Sequence, residues 1–79
     1  MNFAGMSALV SGGAGGLGGA TARRLHELGI AVVIFEPELS RAESFAADLG
    51  SRAVGVSGDH ADEQAVARAI DVARSLGTF

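Results

Sequence analysis

Cysteine, tryptophan, tyrosine and lysine are all missing from this sequence, and proline occurs once. Without cysteine there is no disulfide framework and no zinc–thiolate site. Without tyrosine or lysine, these 79 residues hold no phenol and no side-chain amine, so a reaction needing either as proton carrier must draw it from elsewhere. Positive charge is thin: the six cations are Arg23, Arg24, Arg41, Arg52, Arg68 and Arg74, scattered under a net charge of −3. No basic patch forms, which argues against a nucleic-acid partner. No apolar run approaches the ~20 residues that a membrane span needs, and Met1 to Met6 lacks the basic, then apolar, layout of a targeting segment. The chain is therefore expected to be soluble and cytoplasmic, with no membrane partner.

Glycine, by contrast, is abundant. It makes up 12 of 79 residues, and five of these fall between Gly12 and Gly18. Apolar residues make up 48%, an ordinary share for a globular chain. A domain of this length buries only about 60% of the surface that its unfolded chain exposes, so its stability should be marginal.

Hydrophobic periodicity alternates between two kinds. Ala8-Leu9-Val10 is a short apolar run ending near glycine, as a buried strand does. Leu17, Thr21, Leu25 and Leu28 then fall on one helical face, and Gly29 supplies a stop. Ile30 to Phe35 is apolar at every position, the pattern of a strand covered on both faces of a parallel sheet, and Pro37 ends it. Ser40 and Glu43 have the spacing of a capping box for a helix whose apolar face is Ala42, Phe45, Ala46 and Leu49, closed by Gly50. Ala53 to Val56 reads as a third strand, and Val66, Ala69, Ile70 and Ala73 as the face of a third helix before Gly77. The order β-α-β-α-β-α implies an α/β fold with a parallel sheet and right-handed crossovers. It is the N-terminal half of a Rossmann doubly wound sheet, so residues 1–79 read as a partial dinucleotide-binding domain. In the strand order 3-2-1-4-5-6, the outer edge of the first strand is then open to self-association or to a completing chain.

The glycine loop joins the first strand to the first helix. There, glycines turn the chain, let backbone approach a pyrophosphate and allow close helix packing, while the helix N-terminus offers N–H groups to anions. The loop fits several spacings at once: G-x-G-x-x-G on Gly13, Gly15 and Gly18; G-x-x-x-G-x-G on Gly12, Gly16 and Gly18; G-x-x-G-x-x-G on Gly12, Gly15 and Gly18. A plain flexible loop is the alternative, and with no lysine following it is not a Walker A loop. Glu36 ends the second strand eighteen residues after Gly18, where a dinucleotide fold places an acid on the adenosine ribose. A carboxylate there repels a 2′-phosphate and so favours NAD over NADP; the alternative is a solvated strand-end acid. Asp59 and His60 follow the third strand, at the sheet edge where ligands bind. Asp59 can accept from an adenine amino group, or Asp59 or Asp62 can merely cap the last helix. A metal site at Asp59, His60 and Asp62 is a remote third option. His26 is expected to be solvated on the polar side of its helix.

These residues resemble the short-chain dehydrogenase/reductase family over nearly the whole chain. Ala8-Leu9-Val10-Ser11-Gly12-Gly13-Ala14-Gly15-Gly16-Leu17-Gly18 is similar to its V-T-G-x-x-x-G-x-G opening, with Ser11 keeping the hydroxyl of the usual threonine. Val33-Ile34-Phe35-Glu36 resembles the strand ending in the ribose-binding acid, and Gly58-Asp59-His60-Ala61-Asp62-Glu63 resembles the D-V-T-D-E stretch. His60 and Ala61 replace the common valine and threonine; a backbone contact to adenine survives that change, but the threonine cap does not. The extended branch carries an aromatic where Gly16 stands, and the short crossover from Glu36 to Ser51 suits the classical branch. Within that branch the glycine loop, followed by Ala20-Thr21, resembles the type-2 3-hydroxyacyl-CoA dehydrogenases.

The resemblance implies a cofactor-binding set of Ser11, Gly12, Gly15, Gly16, Leu17, Gly18, Glu36, Asp59 and His60. In it Gly15 and Leu17 face the pyrophosphate and nicotinamide ribose, Glu36 holds the adenosine ribose, and Asp59 with His60 flanks adenine. The family's catalytic Asn-Asn-Ala-Gly, Ser and Tyr-x-x-x-Lys have no counterpart here. The implied function is the NAD-binding segment of an oxidoreductase acting on alcohol or ketone groups, its partner a small-molecule dinucleotide, without catalytic residues in this chain. The rival is a non-catalytic nucleotide-binding or assembly module completed by a partner. A methyltransferase also places an acid after the second strand, but the glycine density and Asp59 argue against one.

Overall fold

A computed structural model of the chain describes residues 3–12 and 16–79. The continuous apolar run after Gly29 forms the central strand β2, Ala31–Glu36, with every residue buried. It is flanked by β1, Ser7–Ser11, and β3, Ala53–Ser57, giving the order β1-β2-β3. Both pairings are parallel, with Ser7 opposite Ala31 and Ser11 opposite Phe35 on one side and Val32 opposite Ala53 and Glu36 opposite Ser57 on the other.

Helices α1, Gly16–Glu27, α2, Leu39–Leu49, and α3, Glu63–Leu76, make the crossovers. One face of the sheet packs Val10, Val32 and Ile34 against Ala22 of α1 and Ala42 and Ala46 of α2. The other packs Leu9, Phe35 and Val56 against Ala65, Val66 and Ala69 of α3. This is the N-terminal half of a doubly wound Rossmann sheet. Val32, Val33 and Ile34 are fully enclosed, each contributing about 1.5–3 kcal/mol of burial. No helix among the described residues is long and apolar enough to cross a membrane.

Small residues set the layer spacing. The inward positions of α3 are Ala65, Ala69 and Ala73, and those of α2 are Ala42 and Ala46. Gly55 of β3 lies directly beneath α2: a methyl group there would stand 2.5 Å from the carbonyl carbon of Ala42 and 2.7 Å from the amide nitrogen of Glu43. In α1 the face read from Leu17, Thr21, Leu25 and Leu28 needs correcting. Gly19 and Ala22 are the buried positions, Leu25 and Leu28 are half-buried, and Thr21 is exposed. The helix approaches the sheet through its smallest side chains, which an apolarity pattern underweights.

Two local expectations also change. The capping box at Ser40 does not form. The N-cap is Glu38, whose carbonyl accepts from the amides of Arg41 and Ala42, both at 3.1 Å. Helix α2 begins as soon as the chain clears Pro37, which leaves Ser40 inside the first turn, its hydroxyl directed at the Glu38 carboxylate at 3.4 Å. His26, expected to be solvated, is half-buried, and its Nε2 lies 2.7 Å from the carbonyl oxygen of Ser51, in the turn before β3. Arg52 in the same turn donates to Gly29 O at 2.8 Å. These bonds tie together two turns at the N-terminal end of the sheet.

The outer edge of β1 carries one backbone bridge, Met6 to Thr78, in parallel sense. Ser7 N donates to Thr78 O and Thr78 N to Gly5 O, both at 2.8 Å. Beneath it, the buried Ser7 hydroxyl donates to Ala73 O at 2.6 Å.

At the start of α3 the Asp62 carboxylate accepts from Gln64 N at 3.0 Å and Ala65 N at 3.3 Å. Such a cap contributes about 1 kcal/mol, and in a domain this small 1 kcal/mol moves the melting temperature by roughly 4–8 °C. Asp62→Ala should lower the midpoint of a thermal melt by that amount, and Asp62→Asn should recover most of it. An unchanged midpoint for Asp62→Ala would mean that the cap is dispensable.

Candidate dinucleotide site at the strand ends

The register brings three chain segments together at the C-terminal edge of the sheet. Strand β1 ends at Ser11, and Gly12 N donates to Phe35 O at 2.7 Å, holding the mouth of the glycine loop against the end of β2. On the opposite flank Gly58 N donates to Glu36 O at 3.1 Å, drawing in the segment that follows β3. Glu36 thus sits between the loop after β1 and the loop after β3, as expected from its place at the end of an all-apolar strand.

The loop has the backbone that glycine permits. Gly12 has φ +65° and Gly16 φ +57°, both in the left-handed region that costs other residues about 1–2 kcal/mol. A Cβ on either would meet no atom within 4 Å, so the space above both positions is open. Helix α1 starts at Gly16, and the free amides of its first turn, Gly16 to Gly18, face whatever lies beyond that N-terminus. Ser11, Gly12 and Gly16 are all solvent-exposed, and Gly18 is half-buried. Gly15 lies outside the described residues, as does the side chain of Leu17.

Glu36 is the buried acid of this edge, 8% exposed overall. Its Oε1 lies 3.8 Å from a guanidinium nitrogen of Arg41 in the first turn of α2. No sequence spacing announced that contact: five residues separate the pair across a strand–helix junction, not along one helix. The available signal was a cation in a first turn, where the helix dipole disfavours it unless an acid stands nearby.

Asp59 and His60 lie at the same edge, both exposed. Asp59 Oδ1 accepts from Ala61 N at 2.9 Å and stands 3.6 Å from His60 Nδ1. The helix cap is Asp62, so of the two acids it is Asp59 whose carboxylate is turned to the loop and solvent. No three His, Cys, Asp or Glu residues among the described ones are grouped to hold a metal ion. A shallow depression lined by Arg41, Ser44, Phe45 and Asp48 runs along α2, and Arg23 stands 5.0 Å over the Phe45 ring. Apart from Arg41, it shares nothing with the strand-end cluster.

Open space above left-handed glycines, a helix N-terminus and a buried acid on the next strand together fit a dinucleotide: amides for a pyrophosphate and a carboxylate for a diol. Comparison with known proteins agrees. Residues 6–77 match the family described as short chain dehydrogenase. The chain is 39% identical over 66 residues to the 3-hydroxyacyl-CoA dehydrogenase type-2 of Drosophila melanogaster, covering 84% of this chain and 26% of that protein. The crystal structure of 3-hydroxyacyl-CoA dehydrogenase type-2 from Mycobacterium avium is similar with a TM-score of 0.89 at 49% identity, over 95% of this chain and 30% of that one. The 3-ketoacyl-(acyl-carrier-protein) reductase from Brucella melitensis, crystallised with NADH, gives 0.85 at 32% identity, over 95% of this chain and 31% of that one. The chain therefore spans less than a third of the length of these relatives. On the match over residues 6–77, this chain belongs to the short-chain dehydrogenase family.

Proposed function

We propose that this chain forms the adenosine and pyrophosphate half of an NAD site in an oxidoreductase that acts on alcohol or ketone groups. The observation that carries the reading is Glu36, a buried carboxylate at the end of β2, bracketed by the loops after β1 and β3. A carboxylate so placed accepts from both hydroxyls of an adenosine ribose, and its charge opposes a phosphate on the 2′-oxygen. Ser11, Gly12, Gly15, Gly16, Leu17 and Gly18 would take the pyrophosphate side, and Asp59 with His60 would flank the adenine. NAD, when bound, supplies the hydride acceptor. The protein's own part here is binding and orientation, since these residues include neither tyrosine nor lysine. Substrates of the type-2 3-hydroxyacyl-CoA class are the corresponding proposal for the activity, and the cytoplasm for its location.

Calorimetric titration tests the cofactor assignment. NAD should bind at least ~10-fold more tightly than NADP, a difference of about 1.4 kcal/mol. Glu36→Gln, which keeps the shape and removes the charge, should shrink that ratio to near one. Equal affinity in the unaltered chain would sink the assignment.

An assembly module is the second reading, favoured by the β1 edge, where the Met6–Thr78 bridge is the one backbone pairing among the described residues. Sedimentation separates the two: a module of that kind self-associates, or captures a completing chain, without any dinucleotide.

A further inference from the structure

Arg41 is where the reading above goes further. It is the described cation nearest the strand-end cluster, its guanidinium 3.8 Å from Glu36 Oε1. The acid is nearly enclosed, with a side chain 10% exposed, while the arginine side chain is 57% exposed. The pair is thus asymmetric: the carboxylate is fixed at the end of β2, and the guanidinium reaches to it from α2 with most of its surface in water. An exposed arm of this kind adds little to stability, and its donors are not used up by one oxygen at 3.8 Å. It also stands in the first turn of α2, the end of a helix that attracts anions. Without the carboxylate, a guanidinium and a helix N-terminus would face the same space.

We propose that Arg41 is a specificity residue with two settings. In the chain as it stands it steadies Glu36 through Oε1, leaving Oε2 for the ribose. When residue 36 loses its carboxylate, Arg41 becomes the ligand for a 2′-phosphate. The space that a 2′-phosphate would enter is that of the carboxylate, already within reach of the guanidinium. The planar fork of arginine suits a phosphate better than an ammonium does. Glu36 therefore does more than repel a phosphorylated cofactor: it occupies the cation that would bind one. This inference rests on the adenosine half-site proposed above.

The test uses 5′-ADP and adenosine 2′,5′-bisphosphate, which differ only by the 2′-phosphate, titrated calorimetrically against the 79-residue chain. The unaltered chain should prefer 5′-ADP. Glu36→Ala should reverse the order, with the bisphosphate gaining at least ~10-fold relative to 5′-ADP. Adding Arg41→Ala to Glu36→Ala should remove most of that gain, and adding Arg41→Lys should restore part of it. Arg41→Ala alone should weaken 5′-ADP by no more than ~5-fold, since the exposed pair is weak. Glu36→Gln, close to the native shape, repeats the series if the alanine variant melts too low to titrate. The proposal is overturned if the bisphosphate binds equally well with and without Arg41, or if neither Glu36 variant gains affinity for it. Failure of the underlying NAD reading has a different signature, namely an unaltered chain that already binds the bisphosphate as tightly as 5′-ADP.

Discussion

Gly55→Ala should lower the melting temperature of this chain by roughly 10–20 °C. The sign is not obvious beforehand. Replacing a strand glycine with alanine ordinarily gains about 0.5–1 kcal/mol, because glycine gives up more backbone freedom on folding. Here the added carbon would stand 2.5 Å from Ala42 C and 2.6 Å from Ala42 O, and both of those atoms are backbone. A flexible side chain could swing aside; the first turns of α2 cannot, without lifting Ala42 and Ala46 away from Ile34 and Val32. Overpacking of this kind costs about 1–3 kcal/mol or more, which outweighs the entropic gain. At roughly 4–8 °C per kcal/mol for a domain this small, the net loss gives the stated shift. A melt followed by far-ultraviolet circular dichroism measures it, and a midpoint at or above that of the unaltered chain would disprove the close approach. Gly55→Val should be worse, since a branched carbon leaves still less room.

Gly12→Val should weaken NAD binding at least ~100-fold, a loss of about 2.7 kcal/mol. Two effects add. Gly12 has φ +65°, a backbone region that a β-branched residue scarcely enters, and its amide is committed to Phe35 O at 2.7 Å. The loop must therefore either carry strain or let go of β2. The space beside the Cα, open in this structure, would also fill with an isopropyl group where the proposed pyrophosphate approaches. Strain alone would also lower stability, so a matched control is needed. Gly50, φ +101°, lies in the turn before β3 at the other end of the sheet and is likewise open around its Cα. Gly50→Val should cost comparable stability yet leave the affinity of the folded fraction unchanged. If both variants lose NAD equally, the loss comes from unfolding and the loop is not the phosphate site.

Much of this architecture was legible in the residues because strand and helix periods differ so sharply here. Ile30 to Phe35 has no polar position and can only be a central strand, and Ala42, Phe45, Ala46 and Leu49 share one helical face in the structure as in the pattern. Glu36 was readable for the same reason: a lone acid closing an apolar run marks the strand end. What local patterns missed lies in relations between distant segments. The approach of α1 through Gly19 and Ala22 depends on the distance between layers, to which a hydrophobicity pattern is blind. The bond from His26 to Ser51 spans 25 residues and joins two turns that only the folded sheet makes neighbours. The Ser40–Glu43 pair had the right spacing but the wrong start, because Pro37 releases the chain into a helix two residues earlier. Arg41 went unnoticed as a partner of Glu36 because its reach depends on the angle at which α2 leaves the strand.

The tie between β1 and the end of α3 also bears on how the chain comes off the ribosome. Ser7 is held by Ala73, 66 residues later, and Met6 pairs with Thr78. At about 5–20 residues per second, the first strand waits roughly 3–13 s for those partners to be synthesised. During that interval β2 can cover one side of β1, while Ser7, Leu9 and Ser11 line the other as an unpaired edge. A nascent strand in that state is a template for neighbouring chains on the same messenger. Translation speed and chaperone access over the α3 segment should therefore govern the yield of folded protein more than the final stability does.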